Sequence, residues 1–265
     1  GQQLKDWRRN RQRSQLDLSL HAGISQRHLS FLECGHSSPS RPMVVQLAEA
    51  LELPLRERNA LLSAAGFAPL YQERSLTGPD IEPEMKPIQA ALQMALDHHA
   101  PFPAMVVDRA WNLLMANDPL YALFGSIDGF LEDAIAISDS DTINLMKISF
   151  HPNGLRRFTL NWEVVALDLL NRMRRDARET NSAELWALTD ELLSYEGVPT
   201  QWRTPDWETA PEPVLSSELQ LGEQRLKMFS MIASFGTPQD ITTDDLRLEL
   251  MFPADDTTGR YLKNL

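Results

Sequence analysis

The sequence predicts an α+β chain in two parts: an all-α N-terminal domain of five short helices, then a domain built on a five-stranded antiparallel sheet with flanking helices. Three observations predict it. The first 65 residues carry apolar residues at helical spacing, interrupted by Gly23, Gly35 and Pro54. The last third contains period-two alternation, with Leu246, Leu248, Leu250 and Phe252 set against Arg247, Glu249 and Met251, as in a half-exposed strand. Charge is also segregated: residues 1–70 hold nine Lys and Arg against six Asp and Glu, a net of +3, while residues 71–265 hold 16 against 31, a net of −15. A basic module joined to an acidic body points to nucleic acid as the partner of the first part only, because the acidic body repels a phosphate backbone.

A length of 265 residues leaves room for two modest domains, and 43% apolar residues are enough for each to bury a core. No apolar run approaches the roughly 20 residues that span a bilayer, and no signal peptide stands at the N-terminus, so a cytoplasmic protein without a membrane partner is expected. The one cysteine, Cys34, excludes an internal disulfide and a cysteine-rich zinc site and fits a reducing compartment. Cys34 itself is expected to be buried as a small apolar residue rather than to act as a redox sensor.

Taken in order, residues 2–12 read as a helix with Leu4 and Trp7 inward and with Lys5, Arg8, Arg9, Arg11 and Arg13 around it. The stretch Gln15–Gly35 then reads as helix, corner, helix. Leu18, Ala22, Ile24, Leu29 and Leu32 have the spacing of two helices crossing steeply over a tight turn. Gly23 suits the corner because positive φ is costly for a residue with a Cβ. Ser14 and Ser25 stand where the two helices need N-caps. The residues left outward at the second helix, Gln26, Arg27, His28 and Ser30, can hydrogen-bond to base edges, while Arg9, Arg11, Arg13 and Gln15 are placed for phosphates. An αα-hairpin that merely packs, with a solvated basic face, is the plain alternative. The agreement of corner glycine, caps, apolar spacing and polar tip favours DNA. Two further helices follow: Arg41–Leu51 behind Ser40, with Val44, Leu47, Ala48 and Leu51 inward, and Leu55–Ala65, ended by Gly66.

These residues carry a resemblance. The runs LKDWRRNRQRSQLDLSLHAGISQRHLSFLECG and SRPMVVQLAEALELPLRERNALLSAAGFAP resemble the Cro/C1-type (XRE) helix-turn-helix family, with its lambda-repressor-like domain. Where this chain has Cys34 the family typically has serine or another small residue, a mild departure. In the branch that this sequence resembles, a MmyB-like ligand-binding domain with a PAS-like fold follows. The resemblance implies a transcriptional regulator that is not an enzyme and has no cofactor. It implies operator DNA as a partner, a homodimer, and a small amphipathic ligand of the fatty-acid class. The boundaries that follow are residues 1–68 for the helix-turn-helix domain, 69–85 for a linker with Pro69, Gly78, Pro79 and Pro83, and 86–265 for the ligand-binding domain.

In the second domain, Ile88–His99 reads as a helix, and AMVVDRAWNLLMAN as two strands about a turn at Asp108–Arg109. DPLYALFG is a short helix with Pro119 at its first position. Strand, strand, short helix is how a PAS-like fold opens. A helix is expected to begin near Thr142 and a long one to run from Leu155 to Arg178 with Leu160, Val164, Leu167, Leu170 and Met173 as its apolar face. The motif HPxGLR…NWE around it is similar to the same ligand-binding family. Ala183–Tyr195 is helical and is stopped at Gly197–Pro199. Val214–Leu221, Arg225–Phe235 and Asp245–Phe252 read as strands, the middle one apolar on both faces and therefore central. A helix over Thr257–Leu265 closes the chain.

No catalytic constellation is visible: the chain has no GxSxG, P-loop or HExxH. Adjacent His98 and His99 point about 100° apart on a helix, poor geometry for one metal, and read as surface residues. A ligand pocket is expected instead. Met105, Met115, Met228, Met231 and Met251 lie on the strands and supply adaptable apolar surface, with Ile232 beside them. His151, Arg156, Arg157, Asn161 and Trp162 form a polar set able to anchor a carboxylate at its mouth. Ordinary core packing accounts equally well for the methionines, and helix-end capping for the polar set. A protein-interaction or dimerisation module without ligand also stays open for this domain.

Overall fold

The computed structural model describes residues 1–79, 81–199 and 213–265, and the fold is described for these. The chain divides into two compact units, Gly1–Arg74 with Arg175–Ser182 and Thr237–Asp244, and Ser75–Arg174 with Ala183–Gly236 and Asp245–Leu265.

Unit one is built on five helices, α1 (Gln2–Asn10), α2 (Gln15–His21), α3 (Gln26–Glu33), α4 (Arg41–Ala50) and α5 (Leu55–Ala64). Their apolar stripes meet in one core, where Leu18, Leu29 and Ala48 are completely buried. Ser14 closes α2 as a capping box with Asp17, and Ser25 and Ser40 accept the free N–H of His28 and Met43 at the starts of α3 and α4. Pro54 cannot cap α5 with a side chain. The carboxylate of Asp244, from the segment 237–244, accepts the Leu55 N–H at 2.8 Å in its place. That segment is further fastened by Arg74 to Asp240 at 2.9 Å and by the hydroxyl of Thr242 donating to the Arg74 carbonyl at 2.6 Å. Residues late in the sequence therefore complete the N-terminal unit.

The expected linker is divided between the units. Asn59 bonds the backbone of Leu70 and Tyr71 within unit one, while Leu76 and Met85 are buried in unit two; Asp80 lies outside the described residues.

Unit two carries α6 (Lys86–His99), β1 (Ala104–Val107), β2 (Leu113–Ala116), α7 (Asp118–Gly125), α8 (Phe130–Ser138), α9 (Leu145–Phe150), the greater part of α10 (Trp162–Thr180), α11 (Ala183–Ser194), β3 (Ser217–Leu221), β4 (Gln224–Ala233), β5 (Arg247–Pro253) and α13 (Asp256–Lys263); α12 (Ile241–Asp245) lies almost wholly in unit one. The five strands make one antiparallel sheet in the order β2-β1-β5-β4-β3, as the period-two pattern predicts. The middle strand is β5, not β4, which lies one place off centre. Alternation splits each strand between two apolar layers. Ala104, Val106, Leu248 and Leu250 pack with α6, while Met105, Val107 and Met251 face α7, α9 and α10.

The expected helix over 155–178 is broken. Leu155–Phe158 is a 3₁₀ turn and α10 starts only at Trp162. Between them the backbone joins the sheet edge: Leu160 N–H donates to the Glu218 carbonyl at 2.7 Å, and the Asn161 side chain bonds both Ser216 O and Glu218 N. Leu160 and Val164 are consequently exposed, and the inward face of α10 is Ala166, Leu170 and Met173. His99, expected at the surface, is half-buried with Nε2 2.7 Å from the Met251 carbonyl oxygen. Cys34, expected in the core, is exposed where α3 ends, beyond the face that buries Leu29 and Leu32.

Candidate nucleic-acid interface and internal cavity

The α2–α3 pair of unit one presents the polar tip that the sequence places there. Gly23 holds the corner at φ +59°, and Ser25 is exposed with its Oγ accepting the His28 N–H at 3.2 Å, leaving the first turn of α3 pointing outward. Gln26 and Arg27 are exposed, and His28 and Ser30 are half-buried beside them. The Arg27 guanidinium lies 5.3 Å from the centre of the exposed Phe31 ring, which gives it a platform without occupying its N–H donors.

The expected phosphate set does not stay together. Arg9 is exposed on α1. Arg11 is turned to the end of α4, where Nε and Nη2 donate to the carbonyls of Leu51 and Glu52 at 3.1 and 3.2 Å. Arg13 Nη2 pairs with Glu52 at 3.2 Å. Gln15 donates to Glu33 Oε2 at 2.8 Å. The chain leaving the C-terminus of α4 presents carbonyls at Leu51 and Glu52, and the Arg11 guanidinium satisfies them.

The Glu33 contact is part of a buried pair that sequence reasoning missed. Arg8 grips Glu33 with two bonds, Nε–Oε1 at 2.6 Å and Nη2–Oε2 at 2.9 Å, and both side chains lie inside the domain. Burial pushes the Glu33 carboxyl up, but the bonds from Arg8 and Gln15 outweigh this and hold it below its ordinary value. One signal was available: Arg8 follows Leu4 and Trp7 at i+4 and i+1, on the inward face of α1.

Unit two contains a cavity of about 350 Å³ between the sheet and helices α7, α9 and α10. Its wall is largely apolar, with Met105, Phe124, Met146, Trp162, Leu169 and Met228 among its residues. The wall residues Trp162, Val165, Ala166, Leu169 and Arg172 fall on one stripe of α10 at helical spacing. Asn144 helps to position the floor. It caps α9 through Lys147 N–H at 3.0 Å and donates to the Ala110 carbonyl at 2.8 Å, fixing the β1–β2 connection against α9.

Several polar groups reach the cavity, including Trp111, Arg172, Ser230 and Glu249. Glu249 belongs to the alternation read from the sequence, but its face of β5 is turned to this cavity rather than to open solvent. Desolvation there pushes its carboxyl above the usual carboxylate range, against a hydrogen bond from Ser230 and the charge of Arg172. A raised folded-state value means that the contribution to stability is full below the unfolded value and is lost as pH rises through the folded one. Glu249→Gln is therefore expected to gain in thermal midpoint over the wild type as pH is raised from about 4 to 8, read by calorimetry. Parallel pH curves for the two proteins would contradict this.

Of the residues expected to hold a ligand, Met105, Trp162, Met228 and Met251 line the cavity. Met115 pairs with Val106 in register and faces the α6 layer, on the other side of the sheet. Met231 and Ile232 are exposed at 58% and 41%, near the end of β4 and away from the cavity. His151 packs edge-on against Tyr195, with ring centres 5.2 Å apart. Arg156 donates to the carbonyls of Glu196 and Gly197 and stacks over Trp162 at 3.9 Å, and Arg157 pairs with Asp133 at 3.1 Å. Asn161 is engaged by β3, as described. The HPxGLR…NWE stretch thus ties the chain together beside the cavity, and its charged groups are directed to protein partners. Among the described residues no group of three or more His, Cys, Asp or Glu is arranged to hold a metal ion, and no helix is long and apolar enough to cross a membrane.

Comparison with known proteins matches both units. A family model described as "MmyB-like transcription regulator ligand binding domain" matches residues 88–265, and one described as "Helix-turn-helix" matches residues 4–58. No curated protein matches the chain. One solved structure, "Structure of an RNA-binding Light-Oxygen-Voltage Receptor", aligns with 100% of this chain at 12% identity and a TM-score of 0.26, and the alignment spans 63% of that protein's length. A likeness at that score has no bearing on fold or function.

Proposed function

Because this chain belongs to the MmyB-like transcription regulators, with the ligand-binding domain of that family joined to a helix-turn-helix, we propose that its second unit is a PAS-like receptor for a single-chain amphiphile of the fatty-acid class, and that occupancy alters the affinity of the first unit for operator DNA. The observation that carries the receptor reading is the cavity: about 350 Å³, apolar along most of its wall, with a few convergent polar groups. The antiparallel strand order β2-β1-β5-β4-β3, with helices packed on its faces, supports the PAS-like reading of the fold. For the DNA-binding half, the exposed first turn of α3 fits a recognition helix. A homodimer would place two such helices on half-sites about 34 Å apart on a pseudo-palindrome. Ligand changes DNA affinity only if it binds the DNA-competent and incompetent arrangements unequally. No cofactor is needed for this function.

The test is native mass spectrometry of the purified full chain, followed by denaturing extraction and then titration of the extracted compound into operator complexes. A bound species of a few hundred daltons that shifts DNA affinity supports the reading. A clean apo mass with no thermal shift across a fatty-acid panel overturns it and favours a protein-interaction module.

A further inference from the structure

We infer that Phe31 is a specificity-determining residue of α3: its ring receives the 5-methyl group of a thymine in the base pair next to the guanine that Arg27 reads. This rests on the DNA-binding reading above and adds to it a second base and the residue that selects it.

Phe31 stands on the outward side of α3. The inward side is occupied by Leu29 and Leu32, which are buried, while Phe31 is 40% exposed, four residues after Arg27 and next to Ser30. Residues four apart on a helix lie one above the other, so the ring and the guanidinium share one stripe. No carboxylate interrupts that stripe, because the one acidic residue of α3, Glu33, is turned into the core against Arg8. A single exposed apolar residue is common on protein surfaces and needs no partner. Phe31 differs in that its ring is fixed in place without being covered.

The end of the helix does the fixing. Gly35 takes φ +74°, and the chain folds back so that Gly35 N–H donates to the Leu32 carbonyl at 3.2 Å and His36 N–H to the Phe31 carbonyl at 2.9 Å. This pair of bonds is a Schellman motif, which sets the residue after the glycine against the side chain of the last turn. Here the His36 ring meets the Phe31 ring edge-on, with centres 5.9 Å apart and planes at 85°. The Arg27 guanidinium carbon lies 5.3 Å from the same ring centre. Two contacts hold the ring and still leave it open to solvent. Its rotamer freedom is reduced before any partner arrives, which lowers the entropic cost of using it in recognition.

The chemistry of the major groove names the partner. Arg27 offers paired N–H donors, which O6 and N7 of guanine match; Phe31 offers neither donor nor acceptor. Thymine alone among the four bases presents an apolar group in that groove, its C5-methyl, and an apolar side chain is the complement. Successive base pairs are about 3.4 Å apart. The 5.3 Å between ring centre and guanidinium therefore carries Phe31 to a neighbouring pair rather than to the guanine itself. The half-site that follows has a thymine, on either strand, in a pair adjoining the guanine. Removing one buried methyl group lowers affinity about fourfold.

The experiment is fluorescence anisotropy of the full chain on an operator duplex selected from randomised DNA, with each thymine in turn replaced by deoxyuridine. That replacement removes one methyl group and keeps every hydrogen-bonding atom of the base. The expected result is about a fourfold loss of affinity at one thymine in each half-site, in a pair adjoining the guanine whose preference disappears in Arg27→Ala. Phe31→Ala, with its thermal midpoint measured, should bind the thymine and deoxyuridine operators equally and keep the preference for guanine. If Phe31→Ala fails to fold, the position of the deoxyuridine effect relative to the Arg27-dependent guanine decides, since that measurement uses the unaltered protein. A selected operator without such a thymine, no deoxyuridine effect beside the guanine, or an equal effect in wild type and Phe31→Ala overturns the assignment and leaves DNA binding standing. Failure of randomised DNA to yield any bound sequence overturns the DNA-binding reading and the assignment together.

Discussion

Replacing Glu33 with alanine is expected to destabilise unit one by about 3–5 kcal/mol, because it leaves the Arg8 charge buried without its partner. Small domains are stable by only about 5–15 kcal/mol, so the loss removes much of what holds the five helices together. The two-bond grip of Arg8, the bond from Gln15 and the near-complete burial of Glu33 make this a larger effect than any surface pair in the chain would produce. Hydrogen exchange resolved by peptide should show α1, α2 and α3 opening in the variant while the strands of unit two stay protected. DNA affinity should fall with it, although Glu33 faces inward. The double variant Arg8→Met/Glu33→Leu is expected to recover most of the stability, since burying two charges offsets much of their attraction. The pH response has a definite sign. The Glu33 carboxyl is held below its ordinary value, so its contribution is present above the unfolded value of about 4.3 and is lost as pH falls through the folded one. Exchange in α1–α3 that is unchanged by Glu33→Ala would contradict the account.

The second large effect is on recognition. Arg27→Ala is expected to weaken operator binding by about 1–3 kcal/mol and to relax base preference at one position in each half-site, as for the loss of a bidentate contact to guanine. Arg27 is exposed on the first turn of α3, with its donors unoccupied by the aromatic ring below it. Fluorescence anisotropy on an operator selected from randomised DNA would measure it, and an unchanged footprint at unchanged affinity would dismiss the assignment. Two other arginines serve as contrasts. Arg9→Ala should lower affinity on all sequences alike and reduce the salt slope by about one. Arg11→Ala should leave the slope nearly as it is and reduce stability, because its guanidinium is committed to the Leu51 and Glu52 carbonyls.

Those contrasts mark the limit of what was legible in the chain. Local signals were reliable where one residue and its neighbours suffice. Gly23 takes positive φ, Ser14, Ser25 and Ser40 cap their helices, and the stripes of α1 to α5 meet in a core, because each of these depends on backbone geometry and spacing alone. Arg9, Arg11 and Arg13 looked equivalent in sequence. They were separated by the distant end of α4, where the Leu51 and Glu52 carbonyls hold Arg11 and the Glu52 carboxylate holds Arg13. The same holds beside the cavity, where Arg156 and Arg157 looked like anchors and are directed to Glu196, Gly197 and Asp133.

The sequence by itself determined the two-part α+β architecture, the five helices and their corner, the five antiparallel strands and the polar tip of α3. All of these follow from periods of 3.6 and 2.0 and from the turn and cap chemistry that bounds them. Only the tertiary structure decided which face of each strand meets the cavity. Strand alternation separates two faces without saying what covers either, so Met115 was equal to Met105 until the register with β5 and the helices above it were set. For the same reason the polar alternates of β5 read as a solvent face and became, at Glu249, part of an interior wall. It was also tertiary pairing that broke the long helix at Asn161, where bonds to β3 replaced helical ones, and that brought Asp244 back to cap a helix 189 residues earlier. Each of these outcomes depends on hydrogen bonds and burial between segments far apart in the chain, which no local pattern encodes.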